Sequence, residues 1–265
     1  MEAEWDISPK VLRANLSDYL PPDAASPTTP EEWLRSELTL VVDFLDRVDA
    51  MGLVIPDDTH MLRVPGGRIR SEVETALNRT VIGGFAFPPD AMLFHFALAQ
   101  HYGTPTRFVD WSASPWIGAF FAAEQIYAET RPPLTSDRLA LWAIDRRWWD
   151  VRRWNSSEDW RTMVVTAPYA TNSYLRAQQG LFVAERGARP GELVNALAEE
   201  YDSLPASSQG DFDEFVRGSV KKITLPHAEA GNLLRSLERF GVHLSSIYPW
   251  FETASRDVRL HRRLP

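Results

Sequence analysis

"LAQHYGTPTRFVDWSASPWIGAFFAAE", residues 98–124, carries the turning point of the chain. Apolar residues from Ala91 to Tyr102 recur at helical spacing, and Gly103 supplies the stop. The segment "GTPTRFVDWSAS" then reads as a loop. Ser114 is placed to cap a second helix with Pro115 at its first position, turning Ile117, Phe120 and Phe121 inward. A polar loop holding an Arg, an Asp and two Ser residues therefore joins two helices, and ionisable groups at such a junction either bind something or staple the junction together.

Working toward the N-terminus, "LPPDAASPTTPE" (20–31) is Pro-rich and aperiodic, an extended linker. Thr29 and Pro30 then start a helix whose Leu34, Leu38, Val41, Val42, Leu45 and Val48 share one face, and Gly52 ends it. "VPGGR" and "IGGFAFPPD" read as turns around a short helix, "IRSEVETALNR". Toward the C-terminus, "RLALWAI" (138–144) is apolar at nearly every position, as a strand covered on both sides is. "TMVVTA" (162–167) and "GLFVAE" (180–185) are further strands, and "ELVNALAEEYDSL" is a helix. The chain closes as strand "VKKITL", helix "AEAGNLLRSLERFG", strand "HLSSIYP" and helix "FETASRDVRL". There is no internal repeat. The pattern predicts one α+β domain with a mixed or antiparallel sheet flanked by helices: an N-terminal helical extension over 1–90, the α+β core over 91–260 and a basic tail over 261–265.

Composition narrows the function classes. The chain has 265 residues and a formal net charge of −8, which disfavours general nucleic-acid binding, since that affinity comes from neutralising phosphates. It has no cysteine, which excludes disulfides, thiolate nucleophiles and Cys-based zinc sites and fits a cytoplasmic protein. No apolar run approaches the roughly 20 residues of a membrane span, and "MEAEWDISPK" lacks the layout of a signal peptide. The ten tryptophans are expected in the core or in pocket walls.

Three blocks carry a family resemblance. "AQHYGTPTRFVDWSASPWIGAFFAAE" resembles the FRG-domain signature, Gln-His-x-Gly-x-Pro-Thr-Arg-x-x-Asp-Trp followed by a helix. "NSYLRAQQGLFVAERG" is similar to that family's Gln-Gln-Gly-x-Phe segment, and "VKKITLPHAEAGNLLRSLERFGVHLSSIYPWFETASRDV" to its closing strand–helix–strand–helix. Together the blocks run from about Leu93 to Arg259. The naming Phe-Arg-Gly motif does not occur. "EWDISPKVLR" (4–13) resembles the segment that normally follows it, so on that alignment the Arg-Gly would lie upstream of Met1. The block order also resembles, at the level of pattern, mono-ADP-ribosyltransferases of the arginine–serine–glutamate type. That resemblance implies a cleft for a nucleotide-like ligand, NAD as cofactor, His101, Arg107 and Glu185 as catalytic groups and no metal. The alternative it leaves open is a non-enzymatic recognition or sensor module in stress or phage defence, whose partner would be a macromolecular target.

Each candidate residue has a functional and a plainer reading. Arg107 matches a phosphate bidentately, with Asp110 orienting it, or it staples the loop through a carboxylate. His101, beside Tyr102 at a helix end, acts as a general base or satisfies backbone carbonyls; His95 is six residues away, the wrong spacing for a shared metal. Ser112 and Ser114 hold an anion at a helix start or simply cap it. Gln178 and Gln179 clamp a base or ribose, or bond the adjacent loop. Glu185 stabilises an oxocarbenium ion or is a solvated strand end. Thr106 and Trp111 complete the expected lining. Trp148, Trp149 and Trp154 among Arg146, Arg147, Arg152 and Arg153 either stack a base or pack as cation–π pairs. Arg256, Arg259, Arg262 and Arg263 touch an acidic partner or are solvated surface.

Overall fold

The computed structural model describes residues 7–13, 18–19, 26–56, 58, 87–128, 137–147, 149, 161–169, 172–187, 190–191, 193–202 and 220–264. The expected short helix in "IRSEVETALNR" and most of the Trp–Arg cluster (Trp148, Arg152, Arg153, Trp154) lie outside them. Helices α1 (Lys10–Arg13) and α2 (Pro30–Ala50) come first. A 3-10 turn, Asp90–Met92, leads into α3 (Leu93–His101), then β1 (Phe108–Ser112) and α4 (Pro115–Ala128). Strands β2 (Arg138–Ile144) and β3 (Thr162–Val165) precede α5 (Ser173–Ala177) and β4 (Gly180–Glu185). The remainder is α6 (Leu193–Asp202), β5 (Val220–Pro226), α7 (Ala230–Arg239), α8 (Leu244–Ile247) and α9 (Phe251–Arg263).

The class is α+β, with the strands in two antiparallel sheets, β1-β4-β3 and β2-β5. Two expectations are corrected. "GTPTRFVDWSAS" is not all loop: Phe108–Ser112 is an edge strand, paired Phe108 with Ala184 through Ser112 with Gly180. "HLSSIYP" is not a strand. It forms the single helical turn α8, where the His243 N–H donates to Ser246 Oγ at 3.0 Å. Short apolar runs do not separate strand from helix by spacing alone.

Alternation along the strands explains the layering. Phe108, Phe182 and Ala184 face a core shared with α2 and α3, in which Phe96 lies 5.8 Å from Phe108 and Phe108 lies 6.0 Å from Phe182. Val109, Trp111, Leu181 and Val183 face the opposite way, into a cluster that also takes Ile7 and Leu193. Trp142 and Ile144 of β2 join that cluster, so it sits between the two sheets. Leu139 and Leu141, on the other face of β2, pack on α4 and α7. Each large side chain fully buried in this way stabilises the fold by about 1.5–3 kcal/mol.

Helix α2 is part of the first core. Leu34, Leu38, Val41, Val42 and Leu45 are all buried there, at the spacing read from the sequence. At the start of β4, Gly180 is required by close approach: a Cβ there would stand 2.4 Å from Leu175 Cδ1 and 3.4 Å from the Leu175 carbonyl oxygen.

Candidate functional site

The quoted stretch builds two environments with opposite character. The first is sealed. Arg107 has 1% of its surface exposed. Its backbone N–H donates to Glu37 Oε1 at 2.6 Å and its Nε to Glu37 Oε2 at 3.0 Å. Nη1 donates to the Gly187 carbonyl at 2.6 Å, and the guanidinium lies 4.4 Å from the centre of the Phe87 ring. Burial pushes the Glu37 carboxyl above its ordinary pKa, while Arg107 pulls it back. The expected Arg107–Asp110 partnership is therefore corrected: Arg107 pairs with a carboxylate 70 residues earlier. Arg107 precedes β1 and is turned into the core toward Glu37, whereas Asp110 lies within the strand and is exposed, so the two do not meet. Arg107 is the staple and does not reach a ligand.

The second environment opens to solvent. Asp110 is exposed along β1, yet the atoms crowded around its carboxyl push its pKa up by desolvation, an effect that Gln100, Lys10 and Arg13 oppose. We read this combination, an exposed residue with a crowded carboxyl, as one wall of a recess. Gln100 Nε2 donates to Asp110 Oδ2 at 2.7 Å, and Gln100 Oε1 accepts from Thr106 Oγ1 at 2.9 Å. Thr106 is thereby buried and committed to holding Gln100. The N-terminal segment reaches the same place: Val11 N–H donates to the Thr106 carbonyl at 3.2 Å, and Lys10 Nζ donates to the Gly103 carbonyl. On the far side, Tyr248 feels the charges of Glu124, Arg256 and Asp110 together, with burial the largest influence raising its pKa. Arg256 lies 3.7 Å from Glu124.

The remaining candidates sit around or away from this recess. Tyr102 is 58% exposed at the end of α3, 6.5 Å from Phe44 and edge-on to His101. His101 borders a small hollow with Phe94, Leu98, Asn172 and Leu175, and burial lowers its pKa, which favours the neutral ring. Ser112 Oγ donates to the Gln178 carbonyl at 2.8 Å and accepts from the Ser114 N–H at 3.1 Å. The Ala113 N–H donates to the Gln179 carbonyl at 2.9 Å. These bonds clip β1 to the α5–β4 turn, in which Gln179 is exposed with φ +47°. Trp111 faces the cluster between the sheets rather than the recess. Glu185 is six residues further along β4 than Gln179, about 20 Å away at the strand rise. It is buried and bonded to Arg161, which also pairs with Glu199. Of the expected catalytic set, Arg107 and Glu185 lie together, with Arg107 Nη1 donating to the Glu185 carbonyl at 3.4 Å, while His101 stands apart beside Asn172 and Leu175.

Sequence reasoning passed over Gln100, Lys10, Arg13 and Tyr248. Gln100 had a signal, since it adjoins His101 in the quoted block. The other three belong to distant segments that only folding brings near.

The α3–β1–α4 unit that carries both environments falls inside residues 45–131, and those residues match the family model described as FRG domain. The chain contains an FRG domain over this stretch. No curated protein and no solved structure matches it. Within the FRG match lie Glu37's partner Arg107, the recess residues Gln100 and Asp110, and the Ser112–Ser114 turn. Gln178, Gln179, Glu185 and the closing helices lie beyond it. Among the described residues, no three His, Cys, Asp or Glu side chains gather as a metal site, and no helix is long and apolar enough to cross a membrane.

Proposed function

We propose that this FRG-domain protein is a recognition module whose Asp110 recess binds a nucleotide-like small molecule. The supporting observation is Asp110 itself, an exposed residue whose carboxyl is desolvated and held by Gln100. A carboxylate in that setting selects paired hydroxyl or amine donors, which a ribose diol or an exocyclic base amine presents. Lys10 and Arg13, whose charges act on Asp110, supply positive charge for a phosphate, and exposed Tyr102 offers a ring face for a base. A buried, committed Arg107 and a Glu185 at the other end of β4 favour recognition over ADP-ribosyl transfer.

Calorimetric titration with NAD, ADP-ribose and AMP tests the recess. Binding by the native chain, lost in Asp110→Asn at unchanged melting temperature, is the expected result; no binding by any of the three removes the proposal. Incubation with NAD labelled in its adenylate part separates recognition from chemistry. Intact NAD is expected afterwards, and released nicotinamide with labelled protein would restore the transferase reading.

A further inference from the structure

The C-terminal elements collect exposed rings and arginines that the recess does not use. Helix α9 buries Thr253 and half-buries Asp257, Leu260 and Leu264, a stripe at spacings of four, three and four. The opposite stripe, Phe251, Ser255, Val258 and Arg262, faces solvent, with Phe251 89% exposed. Trp250, 60% exposed, packs edge-on to Phe251 at 6.4 Å. At the end of α7, Phe240 stacks flat on Trp116 at 5.8 Å and 15°, both rings largely exposed. Every exposed tryptophan and phenylalanine among the described residues belongs to these two pairs. Tyr248, two residues before Trp250, meets Phe121 at 6.2 Å, and Phe121 is five residues along α4 from Trp116. The pairs are therefore on the order of 20 Å apart.

Charge follows the same pattern. From Ala230 onward Arg235, Arg239, Arg256, Arg259, Arg262 and Arg263 outnumber Glu238, Glu252 and Asp257, in a chain whose formal net charge is −8. Arg239, Arg259 and Arg262 have no acidic partner among the described residues. No lysine follows Lys222, so the cations of this face are guanidiniums, planar groups that stack as well as neutralise.

We propose that this face binds single-stranded nucleic acid. The partner must offer regularly spaced negative charge and flat π faces together, and a single strand does both. A lipid surface takes a helix whose outward stripe is apolar along its length, whereas that of α9 carries Ser255 and Arg262 among Phe251 and Val258. The acidic remainder of the chain repels longer stretches of phosphate, which confines contact to a few nucleotides and makes it sensitive to salt.

The test is fluorescence anisotropy of labelled 12-mer oligo-dT and oligo-U with the full chain at 50 and 200 mM salt. Binding at low salt that weakens at high salt is expected. Phe251→Ala and Trp250→Ala should each weaken it about tenfold, and Arg259→Glu with Arg262→Glu should abolish it. All four side chains are exposed, so melting temperatures should hold. Asp110→Asn should leave it unchanged, which separates this face from the recess. Three results would overturn the proposal: no binding at 50 mM salt, binding indifferent to these substitutions, or tighter binding to polyglutamate or to anionic phospholipid vesicles than to either oligonucleotide.

Discussion

Arg107 shows how one side chain's role is fixed by what encloses it. Its charge is worth little to a ligand it cannot touch and much to Glu37. Arg107→Ala leaves that carboxylate buried without its cation, and a loss of about 3–5 kcal/mol is expected in urea denaturation. Replacing both residues with Met should restore most of the loss, because no charge is then left in the core. The sequence marked Arg107 as either staple or ligand group. It could not decide, because Asp110 stood three residues away while the true partner was 70 residues earlier. Gln179 is the other residue whose backbone speaks. Its φ of +47° lies in the left-handed region that glycine adopts without strain. Gln179→Gly is expected to stabilise the chain by about 0.5–1 kcal/mol, read from the denaturation midpoint.

At the scale of elements, local chemistry was readable wherever the stabilising contacts are themselves local. The start of α2 is an example. The Thr29 side chain accepts the Glu32 N–H at 3.2 Å, and the Glu32 carboxylate accepts from the Thr28 and Thr29 N–H groups at 2.7 and 2.9 Å. Those backbone bonds, Thr29's first, hold the Glu32 pKa at about 2, below its ordinary 4.5. The sign follows from the depression: the cap's contribution is complete above about pH 4.5 and is lost as pH falls through about 2. Carboxyl NMR should place the Glu32 midpoint near 2; a midpoint near 4.5 would mean the cap is not formed. The misread elements, β1 and α8, lack such local support. Strand β1 is held by pairing with β4 about 70 residues later, and an Asp at its centre hides the alternation.

For the whole molecule, the decisive feature is that the first core joins α2 to β1 and β4, far along the chain. Leu38, Val41, Val42 and Leu45 of α2 pack with Phe96, Phe108 and Phe182, and Glu37 is buried beneath Arg107. A fragment beginning at residue 91 would expose that face and orphan the Arg107 guanidinium. It is expected to give the poorly dispersed NMR spectrum of a chain without fixed packing, whereas the full chain should give a dispersed one. The same enclosure carries Lys10 and Arg13 to Asp110, so the recess depends on segments far outside the stretch that first drew attention to it.

The sequence by itself determined the helical faces, the cap of α2, the two-sided burial of β2 and the family signature, because each rests on spacing within a dozen or so residues. Only the tertiary structure decided that Arg107 is sealed, that Asp110 is open and that Glu185 stands at the wrong end of its strand to join Gln179. Those outcomes depend on which distant side chains enclose a group and which face of a strand it occupies. Neither is encoded in the spacing of its own neighbours.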